Sequence, residues 1–231
     1  MAESGGYGSV SAQPTATTNV NKVAGIASAL VVVNVLLMLA LSYTPIAELG
    51  AVLFSNFFIG IAVFLVTVGG GYWLAGKGTE SGNMPLAGAG VALTQTGYGL
   101  LGSAILLVAP ASIRAPALGI TAVVTGLITA VAAVIVFKTD HDFSRWQLYS
   151  YVCFGGGFVV GAVAYFAAPA FVVVAGVFFF LGFLADLVYE IWALKTDQYA
   201  SDLLNAIGIY IAVMGVFIHI LQLVLRVLSE L

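Results

Sequence analysis

Two carboxylates interrupt a stretch of sequence that is otherwise hydrocarbon in character. Asp186 lies in FLGFLADLVYEI, inside an apolar run from Ala170 to Ala193, and Glu190 is four residues later. An acid at such a depth costs up to about 3 kcal/mol on insertion scales, so its presence calls for a reason. At helical spacing, residues i and i+4 share a face about 6 Å apart. Two carboxyl groups so placed can share a proton or attract a cation.

The next apolar run, Leu203 to Leu228, carries Tyr210 and His219. Matching depths across an antiparallel pair sets Tyr210 near Asp186, where its hydroxyl would donate a hydrogen bond, and Asn205 or Ala206 near Glu190. His219 falls roughly 13 Å further across the membrane, beyond direct reach of Asp186. Asp186, Glu190, Tyr210 and His219 are therefore the candidates for an ion or proton pathway. The structural alternative is that Tyr210 merely satisfies Asp186, that Glu190 reaches to the headgroups, and that His219 bonds a neighbouring helix. Asn34, Thr94, Gln95 and Thr96 carry less weight, since amides and hydroxyls bridge membrane helices routinely.

Other chemistries are set aside by residues the chain lacks. The final apolar run has no lysine to carry a retinal Schiff base, and His141 and His219 are far apart with no HExxH zinc pattern. Neither GxGxxG nor a phosphate loop occurs, and no enzyme activity, cofactor or metal centre is expected. Cys153 stands alone, so neither a disulfide nor a cysteine metal cluster is available, and it reads as a small buried hydrophobe. A net charge of −3 offers no basic surface for nucleic acid.

What must position these groups is a set of membrane helices. The 231 residues are 61% hydrophobic and only 7% charged, against roughly 25% charged in soluble domains. Hydrocarbon leaves a bare peptide group unpaired, so spanning segments are helices or closed barrels. The runs are long and unbroken, without the strict alternation of barrel strands. Seven reach bilayer length: Val23 to Tyr43, Val52 to Trp73, Leu86 to Val108, Ala115 to Phe137, Trp146 to Ala167, Ala170 to Ala193 and Leu203 to Leu228. The fold class is thus all-α, a polytopic bundle of seven transmembrane helices spanning residues 22–231. Residues 1–21, rich in Ser, Thr, Gly and Ala, read as a disordered tail with no signal-peptide pattern. TPIAE, GKGTESGNMP, PASIRAP and KTDHDFSR mark the first four connections, and Pro169 marks a tight hairpin between the fifth and sixth helices.

Glycine is frequent inside the spans, and Gly157 and Gly161 form a GxxxG pair suited to close helix packing. Within one bundle such faces serve internal contacts; between chains they would dock a partner helix. No exact internal repeat supports a transporter built from duplicated halves.

Three stretches, in order, resemble the transmembrane Bax-inhibitor-motif family of seven-helix proteins. KTDHDFSRW (Lys138 to Trp146) is similar to the family loop ahead of its fifth helix. FLGFLADLVYEI (Phe180 to Ile191) is similar to its sixth helix, and NAIGIYIAVMGVFIHILQLVLRVL (Asn205 to Leu228) to its seventh. Among such proteins the chain looks like a divergent prokaryotic member. The resemblance implies a bundle wrapped around the C-terminal helix, with a pH-sensitive calcium leak gated by two aspartates sharing a proton between the sixth and seventh helices. Here the seventh-helix aspartate falls at Ala212 and the sixth at Leu187, one residue after Asp186, unless Glu190 takes that role. An acid often found in the third span is absent near Gly97.

The expected function is a cation or proton leak in the cell membrane, with calcium or protons as the carried species and the lipid bilayer as the main partner. The alternative is a non-conducting scaffold or regulator of a membrane protease or another helical partner. Lys22, Lys77, Lys138, Arg145 and Lys195 fall on the N-terminal side and Arg114 and Arg226 on the other. The positive-inside rule then makes the N-terminus cytoplasmic. In a Cys153→Ser background, a membrane-impermeant maleimide on intact cells should label Ser112→Cys and reach Ser81→Cys only after permeabilisation. The reverse pattern would invert the topology.

Overall fold

The computed structural model describes residues 18–199 and 201–230. Seven helical segments among them are long and apolar enough to cross a membrane: Val20–Leu41, Phe57–Glu80, Met84–Leu107, Ala111–Lys138, Trp146–Phe166, Pro169–Lys195 and Asp202–Ser229. Large aliphatic side chains face outward along them, Leu36, Val123 and Val159 being about 60% exposed, as a lipid-facing surface requires. The chain is an all-α, multi-pass membrane protein. Most of the expected tail lies outside the described residues, and helix already begins at Val20.

We label the helices α1 (Val20–Leu41), α2 (Pro45–Ser55), α3 (Phe57–Phe64), α4 (Gly70–Glu80), α5 (Met84–Leu107), α6 (Ala111–Lys138), α7 (Trp146–Phe166), α8 (Val172–Lys195) and α9 (Asp202–Ser229). The second span departs from the sequence expectation. TPIAE does not simply turn: Thr44 caps α2, Pro45 starts it, and this short helix takes up residues through Ser55. The span proper begins after Asn56, which caps α3 by accepting from the N–H groups of Phe58 and Ile59. It then runs seven residues beyond Trp73, to Glu80. Between α3 and α4, Leu65–Gly69 forms a π-turn where Thr67 Oγ1 donates to the Val63 carbonyl (2.7 Å).

Helix α9 is the axis of the bundle. Of its most apolar 18-residue stretch 72% is buried and of α5 56%, whereas the other spans bury only 17–28%. Around it, α1, α6 and α8 each pack against α9, and α4 and α5 against each other. The α4–α5 seam is made of small residues: Gly71, Ala75 and Gly78 meet Thr94, Gly90 and Ala87 backbone to backbone. Lipid supplies no hydrophobic drive for association, so this close approach supplies the dispersion contacts that hold the pair.

Some polar groups in the apolar interior are paired within the chain, while buried side-chain atoms of Asn34, Thr121, Thr125, Ser150, Glu190, Asn205 and Tyr210 have no hydrogen-bond partner. Asn34 Nδ2 donates to the Gln95 carbonyl (2.9 Å) and side-chain oxygen (2.6 Å), while Gln95 Nε2 donates to the Leu30 carbonyl (2.9 Å), clasping α1 to α5. Tyr98 donates across to the Ile211 carbonyl of α9 (2.8 Å). Arg114 donates to the carbonyls of Ser42, Leu107 and Ala109, satisfying helix ends that lack partners, and stacks on Tyr43. Lys195 does the same for Val136 and Thr139 on the opposite face. Lys22 pairs with Asp202 at 2.9 Å, tying the start of α1 to the start of α9. Cys153 is free and only partly buried.

Gly90 lies deep in the α4–α5 seam, where a Cβ would strike the backbone of Ala75 and Gly71; at Gly88 nothing lies within 4 Å. Gly90→Ala should therefore destabilise the protein by about 1–3 kcal/mol through overpacking. Gly88→Ala should be neutral or stabilise by up to about 1 kcal/mol through helix propensity. Thermal melting of the purified variants reads the contrast, and equal melting temperatures would refute the seam.

Candidate functional site

The second and fifth spans touch through α3 and α7, where the Phe57 ring fills the space beside Gly161 and Asn56 donates to Tyr165 (2.8 Å). Beyond the π-turn, the glycine seam draws α4 towards α5 and α9 instead. The two spans consequently diverge toward the N-terminal face and leave a cavity of about 200 Å³. Asp186 and Glu190 of α8 both line it, as their shared helical face predicts.

Glu190 is buried, with 7% of its surface exposed. Tyr199, in the connection to α9, donates to its Oε1 (3.2 Å), while Oε2 has no hydrogen-bond partner. The structural alternative, that Glu190 reaches the headgroups, does not hold, because Tyr199 folds over it and Gly208 opens a slot beneath it. A Cβ at Gly208 would run into the carboxylate. Tyr72 and Tyr189 bring their hydroxyls beside that of Tyr199. Burial, and then the neighbouring Glu190, hold the Tyr199 phenol above its ordinary range, so it remains a donor at physiological pH.

Asp186 is less enclosed, with Ser150 of α7 facing it. The Ser150 hydroxyl is buried and meets no hydrogen-bond geometry. Neither acid is ion-paired: the salt bridges among the described residues are Lys22–Asp202 and Lys77–Glu80. No group of three or more His, Cys, Asp or Glu side chains among those residues is placed to hold a metal ion.

Tyr210 does not join Asp186. Its ring is fully buried and packs edge-on against Tyr98, 5.9 Å away, and its hydroxyl has no partner. Depth matching also set Asn205 or Ala206 beside Glu190, where the structure places Gly208. Between the two helices, α8 closes with Asp197 in a left-handed conformation (φ 55°) and Gln198 N–H bonded back to the Ala193 carbonyl. Along α8, α9 is set so that Gly208 meets Glu190. Gly208 and Ile211, three residues apart, then present the face lining the cavity, and Tyr210 points from a different one.

His219 lies apart from the acids. Its Nδ1–H donates to the Gly215 carbonyl (2.8 Å), and Phe180 and Phe183 flank the ring at 5.9 and 5.8 Å. Gly157 and Gly161 face inward, against the rings of Phe179 and Phe57. Leu187 and Ala212, where the resemblance puts gating acids, belong to one apolar cluster with Ile191, Val216 and Val136. One residue on a helix is a rotation of about 100°, so Asp186 looks into the cleft while Leu187 looks into that cluster.

The sequence reading missed Tyr72, Gln147, Tyr151 and Tyr199, all of which line the cavity. The available signals were faint. Tyr199 is an aromatic in an otherwise polar connection, and Gly208 is a small residue on the helix that must pass the acids. No family model, curated protein or solved structure matches the chain.

If Tyr199 holds Glu190, Tyr199→Phe should lower stability by about 1 kcal/mol. Tyr43→Phe, which loses only a marginal 3.5 Å contact at an exposed site, should melt with the wild type. A Tyr199→Phe variant melting at the wild-type temperature would show that the bond contributes nothing.

Proposed function

We propose that this protein is a Bax-inhibitor-motif-like cation or proton leak of the cell membrane, oriented with its N-terminus in the cytoplasm, and that the cleft holding Asp186 and Glu190 is its ion site. The observation that carries the reading is that Asp186 and Glu190 both line one cavity, with a buried Glu190 oxygen lacking a hydrogen-bond partner and neither acid in a salt bridge among the described residues. A buried carboxylate without a counter-charge is costly to maintain, and a cation or proton drawn from the membrane surface would neutralise it. The divergence of α4 from α7 gives that cation a way in beside the N-terminal face. The motif resemblance from Lys138 to Trp146 and through α8 and α9 supports the same class of activity. With Ala212 and Leu187 enclosed in apolar packing, any pathway in this chain uses the opposite face of α8, through Asp186 and Glu190.

A second reading, a non-conducting scaffold or regulator of a membrane protease or other helical partner, draws on a different feature. A groove of about 470 Å³ between α1 and α6 is lined by small residues including Ala27, Ser28, Gly126 and Ala130, a surface suited to another helix. A stoichiometric co-purifying membrane protein, with no flux, would favour it.

Reconstituted in liposomes, the wild type should carry proton or calcium flux above empty vesicles. Asp186→Asn combined with Glu190→Gln should reduce that flux at least tenfold, as expected when a charge-neutralising site is lost from a low-dielectric path. Flux equal to wild type in the double variant would sink this function.

A further inference from the structure

Resting on the cation-handling reading of the same cleft, we infer that its ligand is a small organic ammonium ion, held by Glu190 and Asp186 against the rings of Tyr72, Tyr151 and Tyr199. Glu190, only 7% exposed and with one carboxylate oxygen left without a hydrogen-bond partner, lines with Asp186 a cavity whose remaining wall, apart from Gln147, is tyrosine, aliphatic and glycine residues. That combination asks for a ligand with a positive charge at one point and hydrocarbon around it.

A metal ion answers only half of this description. Calcium takes six to eight oxygen ligands at about 2.3–2.6 Å. Here the acids number two, a helical turn apart on one helix, the other oxygen donors are Gln147 and neutral tyrosine hydroxyls, and the rest of the wall includes Val68, Ile211 and tyrosine rings. A bare ion would leave most of the cavity to water, since about 200 Å³ exceeds the roughly 30 Å³ share of one water several times over. An ammonium bearing a few carbon atoms fills the same volume, places its charge against the carboxylates and buries its methyl or methylene groups on the rings. Tyrosine rings attract such cations directly, most strongly where water is excluded.

The geometry also supplies a route. Tyr151 stands at the rim and is 58% exposed, on the side where α4 and α7 have separated. It lies five residues into α7 from Trp146, about 7.5 Å below the N-terminal end of that helix. A lipophilic cation resting at headgroup depth would therefore meet the opening edge-on. Gly208 completes the site from α9, because any side chain there would displace the Glu190 carboxylate.

The test is equilibrium binding of radiolabelled tetramethylammonium to the full chain in lipid nanodiscs, with sodium and calcium as competitors. We expect saturable binding that calcium does not displace. Glu190→Gln, nearly isosteric, should weaken it at least about tenfold, and Tyr72→Leu about tenfold, whereas Tyr72→Phe, which keeps the ring, should stay within about threefold. Unsaturable binding, full displacement by calcium, indifference to Glu190→Gln, or equal losses in Tyr72→Leu and Tyr72→Phe would each overturn the assignment. Competition on the wild type needs no variant, so a misfolded variant leaves the question answerable. Flux that depends on Asp186 and Glu190 without tetramethylammonium binding would overturn the ammonium site and leave the leak standing. Binding without flux would do the opposite.

Discussion

Hydrocarbon offers no hydrogen bonds, and nearly every feature of this protein stems from having to supply them internally. The backbone closes its own bonds by running as helices across the bilayer. Where helices end, Arg114 and Lys195 reach back to carbonyls that would otherwise face lipid or headgroups. Where amides must lie inside, Asn34 and Gln95 take one another. His219 satisfies itself on the carbonyl one turn earlier in its own helix. Among the buried groups left without a partner, the Glu190 oxygen stands out as the one that belongs to a carboxylate.

The opening exists because of a packing decision elsewhere. A seam of glycine and alanine lets α4 approach α5 far more closely than bulkier side chains would permit. Held by α3 against α7 at one end and drawn to α5 at the other, the second span changes partners at the π-turn, and the gap it leaves becomes the cleft. The same small-residue logic recurs at Gly208, where the absence of a side chain makes room for a carboxylate. Packing in the apolar seam thus determines where the polar site can be, although no residue of that seam is ionisable.

The acids themselves illustrate how narrowly a helix separates environments. Leu187 is enclosed with Ala212 in apolar contact, and Asp186, its immediate neighbour, faces the cavity. Proteins similar in motif but with acids at those two positions would place their charge on the α6-facing side of α8. This chain places it on the side facing α4 and α7, so a likeness in sequence does not carry the position of the acids with it.

Hydropathy and charge determined the seven spans, their order and the shared face of Asp186 and Glu190, because these depend on local length, helical period and the cost of polar groups in lipid. The second span is the exception: Thr44 and Pro45 start a short helix that composition alone merges with the span after it. Tertiary structure alone decided what the acids face. The register of α9 sets Gly208, not the expected Asn205 or Ala206, beside Glu190 and leaves Tyr210 against Tyr98. Tyr72, Tyr151 and Tyr199 come from three separate parts of the chain, and only the divergence of two helices brings them to one cavity. Helical period fixes which residues share a face, but which face meets which neighbour is settled by close packing between helices, and that is not written in any one segment.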